Sequence, residues 1–216
     1  MTNNFYNLFG FNESLFMTLN QYTNIGILPN ILTTLSSVFF IANFAICYLM
    51  TCLYFYYKTT NATNKAAYFT PIYYELVRIG ICYTIFGLTF AALKFSINLP
   101  RPFCSLENFK FLTIADTSTE RCLSSFPSAH TGLALLVTYC LWPYMSRFFK
   151  ILACAVIIMV AISRITLAMH YPADILYSVI VTILTIIIGN KFYQLLKDPI
   201  LKPIGYFILQ LLFKYK

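Results

Sequence analysis

The sequence predicts an all-α membrane protein: a polytopic helix bundle of about five to six spans, preceded by a short interfacial N-terminal helix. Hydrophobic residues make up 59% of the chain and charged residues 10%, and the mean hydropathy is +0.72. A soluble domain carries about a quarter charged residues. Aromatic residues reach 18%, mostly Phe and Tyr, which suits contact with lipid and with the two membrane surfaces.

The apolar runs place the spans along the chain. Residues 1–28 mix aromatic with polar side chains, so we expect an interfacial helix there rather than a span. The predicted spans cover, in order, residues 30–57, 66–93 (or from Pro71), 127–144, 151–169 and 172–190. Residues 203–213 are apolar but too short to cross a bilayer, so we expect an interfacial helix or a partial hairpin.

We expect one membrane-embedded domain over residues 1–216, because the sequence shows no internal repeat and no change of composition that would mark a boundary. The polar motifs described below fall within a core of residues 66–195. The only substantial hydrophilic segment is the loop of residues 103–126. We expect this loop to select the substrate, since it offers the one large variable surface.

The formal net charge of +8 does not indicate nucleic-acid binding, because no Lys/Arg cluster reaches the density of a nucleic-acid patch. The basic residues gather instead at one set of helix ends, which predicts that those ends are cytoplasmic. They are Lys58, Lys65, Arg147, Lys150, Lys191 and Lys197. The opposite ends, which carry both histidines, are therefore expected on the extracytoplasmic face of the cytoplasmic (inner) membrane.

A polar stretch at the junction of the last two predicted spans carries the strongest chemical signal. Ser163 and His170 are seven residues apart, close to two helical turns, so they face the same way. Pro172 suits the first position of a new helix, and Asp174 then falls in its first turn. The bend can bring Asp174 back to His170, and a carboxylate that orients an imidazole is what a nucleophilic or basic histidine needs.

Two further groups of polar residues lie at the same membrane level. Lys94, Arg101 and Arg164 place three cations around one pocket, which favours a multiply charged anion such as phosphate. The predicted span that begins at Pro127 adds main-chain N–H groups at a positive helix terminus, another feature of phosphate sites. Those groups belong to Ser128, Ala129 and His130.

Together these residues resemble the three signature motifs of the type 2 phosphatidic acid phosphatase superfamily. The matching segments are Lys94-x6-Arg101-Pro102, Pro127-Ser128-Ala129-His130 and Ser163-Arg164-x5-His170-x3-Asp174, in the family's order and spacing. The resemblance covers about residues 66–195. Ala129 stands where glycine is commonest in the family, and the family's usual first span has no counterpart in residues 1–28.

The resemblance implies a role for each motif residue. His170 would attack phosphorus, with Asp174 holding its tautomer and stabilising the charged imidazole. His130 would protonate the leaving alkoxide and then activate water. The phosphoryl oxygens would be bound by the remaining motif groups: Lys94, Arg101, Arg164, the hydroxyl of Ser128 and the main chain around Ala129.

No cofactor is implied. A metal held by the two histidines and Asp174 is the alternative site, but three adjacent cations would repel a divalent ion. The expected function is hydrolysis of a lipid phosphate, with the lipid bilayer as the second partner. Candidate substrates are phosphatidate, phosphatidylglycerophosphate, a polyprenyl diphosphate and the phosphates of lipid A.

The alternatives to hydrolysis are phosphoryl transfer, halide oxidation and transport. A phosphotransferase would pass the phosphoryl group to a lipid acceptor. Relatives of this fold oxidise halides, but those are soluble proteins. A transporter would carry charges along its spans, whereas the charges here gather at one end, apart from the pair Glu75 and Arg78, which are three residues apart on one helix face.

Cys104 and Cys122 bracket the long loop on the side assigned to an oxidising compartment, so we predict a disulfide between them. Such a bond would hold the loop over the phosphate site.

Overall fold

The computed structural model describes residues 6–106, 111 and 121–213, and in these ranges it is all-helical, as the sequence predicts. The α-helices are α1 (Phe11–Thr23), α2 (Leu28–Val38), α3 (Ile41–Thr60), α4 (Lys65–Ser96), α5 (Pro102–Ser105), α6 (Ala129–Leu141), α7 (Arg147–Thr166), α8 (Pro172–Leu196) and α9 (Lys202–Phe213). Short 3-10 turns lie at Leu8–Gly10 and Trp142–Tyr144, and a π-helical turn covers Lys197–Leu201.

The helix starts follow local rules. The side chain of Asn64 accepts a hydrogen bond from the Ala67 amide at 3.0 Å and so caps α4. Pro172 opens α8, and Asp174 lies in its first turn, as predicted.

The segment 203–213 differs from the expectation, because α8, the π turn and α9 follow one another as one helical stretch of 42 residues, Pro172–Phe213.

The number of spans is supported only approximately. In the described part of the chain, three helical segments are long and apolar enough to cross a membrane, and a fourth counts if α2 and α3 form one broken span. The three are α4, α7 and Pro172–Phe213. The predicted span at residues 127–144 contains α6, which has 13 residues and is shorter than the roughly 20 that a bilayer requires.

The span predicted at residues 30–57 is interrupted, which corrects the sequence-based expectation. Helix α2 ends at Val38, where the Phe39 amide bonds to the carbonyl of Ser36 at 3.0 Å, and α3 begins at Ile41. No proline or glycine lies at the break. The Ser36 hydroxyl accepts a hydrogen bond from Arg164 at 3.3 Å, so a distant contact holds the last turn of α2.

The chain divides into two compact units. We call the first, Met1–Ile41 with Leu88–Ile183, the motif unit. Helix α7 is its central element, because α1, α2 and α6 all pack against it. Phe16, Ile165 and Ala168 form a buried apolar cluster where α1 meets the end of α7. The single domain expected from the sequence stays a prediction.

The second unit, Ala42–Gly87 with Leu184–Lys216, is called the aromatic unit. Its buried core consists of Phe55, Phe69, Tyr73, Leu209 and Phe213. Glycine lets the helices approach closely, as is common between membrane helices. A Cβ added to Gly205 would lie 2.6 Å from the Tyr73 ring, and one added to Gly189 would lie 2.8 Å from the Cys82 sulfur.

The aromatic unit also contains the ion pair suggested by the sequence. Arg78 donates to both oxygens of Glu75, at 3.0 and 2.5 Å. Arg78 Nη1 donates to the side-chain oxygen of Asn190 at 3.2 Å. We call these three residues the Glu–Arg cluster.

Candidate active site

The first motif lies where α4 ends and α5 begins. Lys94 is in the last turn of α4, and Arg101 is the extended residue immediately before Pro102 opens α5. The Arg101 amide donates to the carbonyl of Cys122 at 2.8 Å, and Cys122 is bonded to Cys104. The predicted disulfide is thus present and joins the start of α5 to the segment before α6.

Ser124 connects the two cations of this motif. Lys94 Nζ donates to the Ser124 carbonyl at 2.9 Å, and Arg101 Nη2 donates to the Ser124 hydroxyl at 3.1 Å. The next amide, that of Ser125, donates to the carbonyl of Leu99 at 3.0 Å. The segment before α6 therefore fixes the direction in which both cations point.

The second motif forms the first turn of α6. Ser128 is fully buried at the N-cap position, and its hydroxyl lies 3.0 Å from that of Thr131. Its amide donates to the main-chain oxygen of Asp174 at 3.4 Å, which joins α6 to the start of α8. Ala129 and His130 follow as the first helical residues. The Phe40 ring lies 6.4 Å from the His130 imidazole, centroid to centroid.

The third motif is a tight turn between α7 and α8. Ala168 adopts the left-handed conformation with φ of 54°, which ends α7. The amides of Met169 and His170 then both donate to the carbonyl of Arg164, at 3.0 and 3.3 Å. The Phe103 amide of α5 donates to the Ala168 carbonyl at 3.3 Å, so α5, which directly follows the first motif, contacts the third motif.

His170 and Asp174 meet across this turn. Both side chains are almost completely buried, with 2% and 0% of their surface exposed, and His170 Nδ1 lies 3.7 Å from Asp174 Oδ2. That distance fits an ion pair and is longer than a hydrogen bond. The carboxylate accepts its hydrogen bonds from other groups: the hydroxyls of Tyr6 and Ser125 and the amide of Tyr171.

The electrostatics of the turn favour a neutral His170 before substrate binds. Burial lowers its pKa well below the usual range, and the charges of Lys94, Arg164 and Arg101 lower it further. A main-chain hydrogen bond at Ser125 acts in the opposite direction. A neutral imidazole is the form that can attack phosphorus.

The structure brings the charged and imidazole residues of the three motifs into one cluster. Arg164, His170, Lys94 and Arg101 all act electrostatically on the His130 imidazole. We call these five residues with Asp174 the motif cluster. It combines three permanent cations with one carboxylate, and this excess of positive charge favours a phosphate dianion.

Comparison with known proteins agrees with this geometry. The model of the PAP2 superfamily matches residues 75–198, more than half of the chain. The chain belongs to the PAP2 superfamily. Membership supports a phosphatase that acts on lipid phosphates. No curated protein sequence matches this chain.

A solved structure shows the same fold. The crystal structure of Aquifex aeolicus LpxE matches with a TM-score of 0.63 and 18% sequence identity, over 83% of this chain and 94% of that one. At this identity the likeness concerns the fold alone. It extends beyond the residues matched by the PAP2 model, so much of the chain outside the motifs shares the architecture.

Sequence reasoning missed several groups that contact the PAP2 motifs. They are Tyr6, Ser36, Ser124 and Ser125. Ser124 and Ser125 lie two or three residues before the second motif, and their position offered a weak signal. Tyr6 and Ser36 reach the third motif from more than a hundred residues away, and no local pattern predicts such contacts.

Proposed function

We propose that this PAP2 protein is an integral membrane phosphatase that hydrolyses a lipid phosphate monoester or diphosphate through a phosphohistidine on His170. The observation that carries the proposal is the position of His170. It is buried, it faces Asp174 at 3.7 Å, and three cations act on its imidazole. This arrangement suits a nucleophile directed at a bound phosphate dianion.

The first step transfers the phosphoryl group to the enzyme. His170 Nδ1 faces Asp174, so Nε2 is the nitrogen that attacks. The N–P bond forms as the P–O bond to the lipid breaks. The bound phosphate dianion offsets the cations that act on His130, so His130 takes up a proton in the complex and gives it to the departing alkoxide. Asp174 stabilises the positive charge that His170 acquires. Lys94, Arg101 and Arg164 bind the phosphoryl oxygens throughout, together with the groups around Ser128 and Ala129.

The second step releases phosphate. Neutral His130 takes a proton from a water molecule as its oxygen attacks phosphorus, and the N–P bond breaks. Inorganic phosphate leaves, His170 returns to the neutral form, and His130 is protonated for the next cycle. In this mechanism the three cations balance the charge of the phosphoryl group, so we propose that catalysis needs no metal.

Substrate selection is assigned to the loop of residues 103–126, most of which, including residues 107–110 and 112–120, lies outside the described residues. The candidates are phosphatidate, phosphatidylglycerophosphate, a polyprenyl diphosphate and lipid A. The direct test is phosphate release from a panel of these lipids by purified protein in detergent. We expect release from at least one lipid, unchanged by EDTA and absent in His170→Ala.

The same assay separates hydrolysis from transfer. If the lipid phosphate disappears without free phosphate, and a second lipid becomes phosphorylated instead, the protein is a phosphotransferase. If no lipid of the panel is consumed, phosphatase function is rejected for these substrates. Labelling of His170 from a radioactive substrate, trapped by acid-free denaturation, would test the covalent intermediate.

We further propose that the active site faces the extracytoplasmic side of the cytoplasmic membrane. Two observations support this orientation: the Cys104–Cys122 disulfide beside the site and the lysines at the opposite helix ends. In a background without the five free cysteines, Leu123→Cys should react with an impermeant maleimide on intact cells. Thr60→Cys should react only after permeabilisation, and the reverse pattern would invert the topology.

A further inference from the structure

We infer that Tyr6 is a positioning residue for catalysis, which fixes the Asp174 carboxylate and through it the His170 imidazole. The N-terminal segment, expected from the sequence to be only an interfacial helix, then belongs to the active site. The inference rests on the proposed function, because it names a residue that supports the same nucleophile.

The two oxygens of Asp174 have different partners. Tyr6 donates its hydroxyl proton to Oδ1 at 2.8 Å. Oδ2 accepts from the Ser125 hydroxyl and the Tyr171 amide, and it is also the oxygen that lies 3.7 Å from His170 Nδ1. Because Tyr6 donates to the other oxygen, it restrains rotation of the carboxylate about its Cβ–Cγ bond. That rotation decides where Oδ2 sits relative to the imidazole.

The Tyr6 ring is held in place by two aromatic neighbours. Its centroid lies 6.1 Å from that of Phe126, edge to face, and 6.5 Å from that of Tyr177, nearly parallel. Burial and the charge of Asp174 raise the pKa of Tyr6 above its usual range. The phenol therefore stays protonated at any physiological pH and acts toward the carboxylate only as a donor.

Helix α1 has its own anchors, which do not depend on Tyr6. Asn20 Nδ2 donates to the carbonyls of Ile165 and Thr166 at 2.8 and 3.1 Å. Asn12 accepts a hydrogen bond from the Ala173 amide at 3.0 Å. These asparagines bond main-chain groups at the end of α7 and the start of α8, among them the Thr166 carbonyl and the Ala173 amide. Loss of the Tyr6 hydroxyl should therefore leave α1 docked and change only the carboxylate.

The experiment compares Tyr6→Phe with two matched variants of the same segment. Tyr6→Phe keeps the ring and removes the hydroxyl. Tyr22→Phe makes the same chemical change at an exposed tyrosine of α1, and Asn20→Ala removes an anchor. For each purified protein, kcat and KM on a lipid phosphate, the inhibition constant of inorganic phosphate and the unfolding temperature are measured.

We expect Tyr6→Phe to lower kcat on the order of tenfold, as for a lost hydrogen bond to a charged group. Its KM and its inhibition by phosphate should stay close to those of the wild type, because the three cations are untouched. Its unfolding temperature should fall by no more than a few degrees, as for one lost hydrogen bond. Tyr22→Phe should match the wild type in every measurement. Asn20→Ala should lower the unfolding temperature.

Two results would overturn the inference while leaving the proposed function intact. One is an unchanged kcat in Tyr6→Phe. The other is a Tyr6→Phe protein that resembles Asn20→Ala, with KM, phosphate inhibition and unfolding temperature all altered, since that pattern indicates a structural role only. A wild-type protein that hydrolyses no lipid phosphate is a different outcome, which rejects the proposed function and the positioning role together.

Discussion

Two charged clusters in the described part of the chain differ in how their charge is balanced. In the Glu–Arg cluster of the aromatic unit, Arg78 meets both oxygens of Glu75, and Asn190 accepts from its third donor. In the motif cluster, three cations act on the His170 imidazole, and the one carboxylate, that of Asp174, lies 3.7 Å from it. The first cluster is complete with its own residues, whereas the second has the charge to receive an anion.

Polarity at membrane depth does not by itself identify a functional site. Charged residues there are costly and are commonly functional. In the Glu–Arg cluster, the opposite charges pair with each other, so we expect this cluster to stabilise the fold. Under the proposed function, a bound phosphate balances the charge of the motif cluster, so substitutions there should lower catalytic activity more than stability.

The largest expected effect comes from removing the nucleophile. His170→Ala should lose at least about 10⁴-fold in kcat/KM on both lipid and aryl phosphates, because no leaving group compensates for a missing nucleophile. Asn190→Ala is the matched variant in the Glu–Arg cluster and should retain wild-type kcat/KM. Residual turnover of an aryl phosphate by His170→Ala would indicate direct attack by water.

His130→Ala should separate substrates by their leaving groups. Protonation matters most when the departing alkoxide is a strong base, so activity on a lipid phosphate should fall by about 10²–10⁴-fold. The loss on p-nitrophenyl phosphate should be smaller, because its phenolate leaves without a proton. Equal losses on the two substrates would contradict the division of labour between the histidines.

Arginine substitutions test the comparison directly. Arg164→Ala removes a cation from the motif cluster and should lower kcat/KM by about 10²–10³-fold, as for loss of a group that stabilises transition-state charge. Arg78→Ala leaves Glu75 half-buried without its guanidinium, so it should lower the free energy of unfolding by about 1–3 kcal/mol. Its activity per folded molecule should stay near the wild-type value; a large catalytic loss would show that the Glu–Arg cluster also serves the reaction.

Breaking the Cys104–Cys122 disulfide should reduce the stability of the motif unit and weaken substrate binding, with effects smaller than those of the substitutions above. The two cysteines are 18 residues apart, and closing a loop of that size contributes about 3 kcal/mol in the chain-entropy model. Reduction should lower the unfolding temperature and raise KM, because the bond lies beside Ser124, which accepts hydrogen bonds from the cations Lys94 and Arg101. The Cys104→Ser/Cys122→Ser double variant should show both effects without reductant and no response to it.

The start of α8 and the motif residues could be predicted from the sequence near them. Pro172 and Asp174 at the start of α8 follow from helix-terminus chemistry, and the motif residues were found because they are polar groups at the ends of apolar runs. The break between α2 and α3 was missed, because residues 38–41 are all apolar and contain no proline or glycine.

The two missed contacts that no local pattern predicts join residues that are more than a hundred positions apart in sequence. Tyr6 is 168 residues from Asp174, and Ser36 is 128 residues from Arg164. Tertiary packing brings these pairs together, and a single sequence records no trace of the pairing. An alternation of aromatic and polar residues in positions 1–28 is compatible with a surface helix and equally with one that docks through asparagines.

The smallest effect concerns acid stability and follows from His170. In the unfolded chain its pKa is about 6.5. In the fold, burial and the charges of Lys94, Arg164 and Arg101 hold the pKa well below that value, against the opposing effect of a main-chain hydrogen bond at Ser125. As the pH falls below about 6.5, the unfolded chain binds a proton that the folded protein does not. The free energy of unfolding should therefore decrease by up to about 1.4 kcal/mol per pH unit through this residue.

Substitution of His170 by a neutral side chain isolates this contribution. His170→Gln should have a shallower decline in unfolding free energy below about pH 6.5, by about one proton per molecule. Asn190→Ala, in the Glu–Arg cluster, should keep the wild-type slope, since it changes no group that titrates in this range. Both slopes are measured by denaturation of the purified proteins in detergent. If His170→Gln and the wild type decline equally, the folded protein and the unfolded chain protonate His170 over the same pH range, and burial at this turn does not lower its pKa.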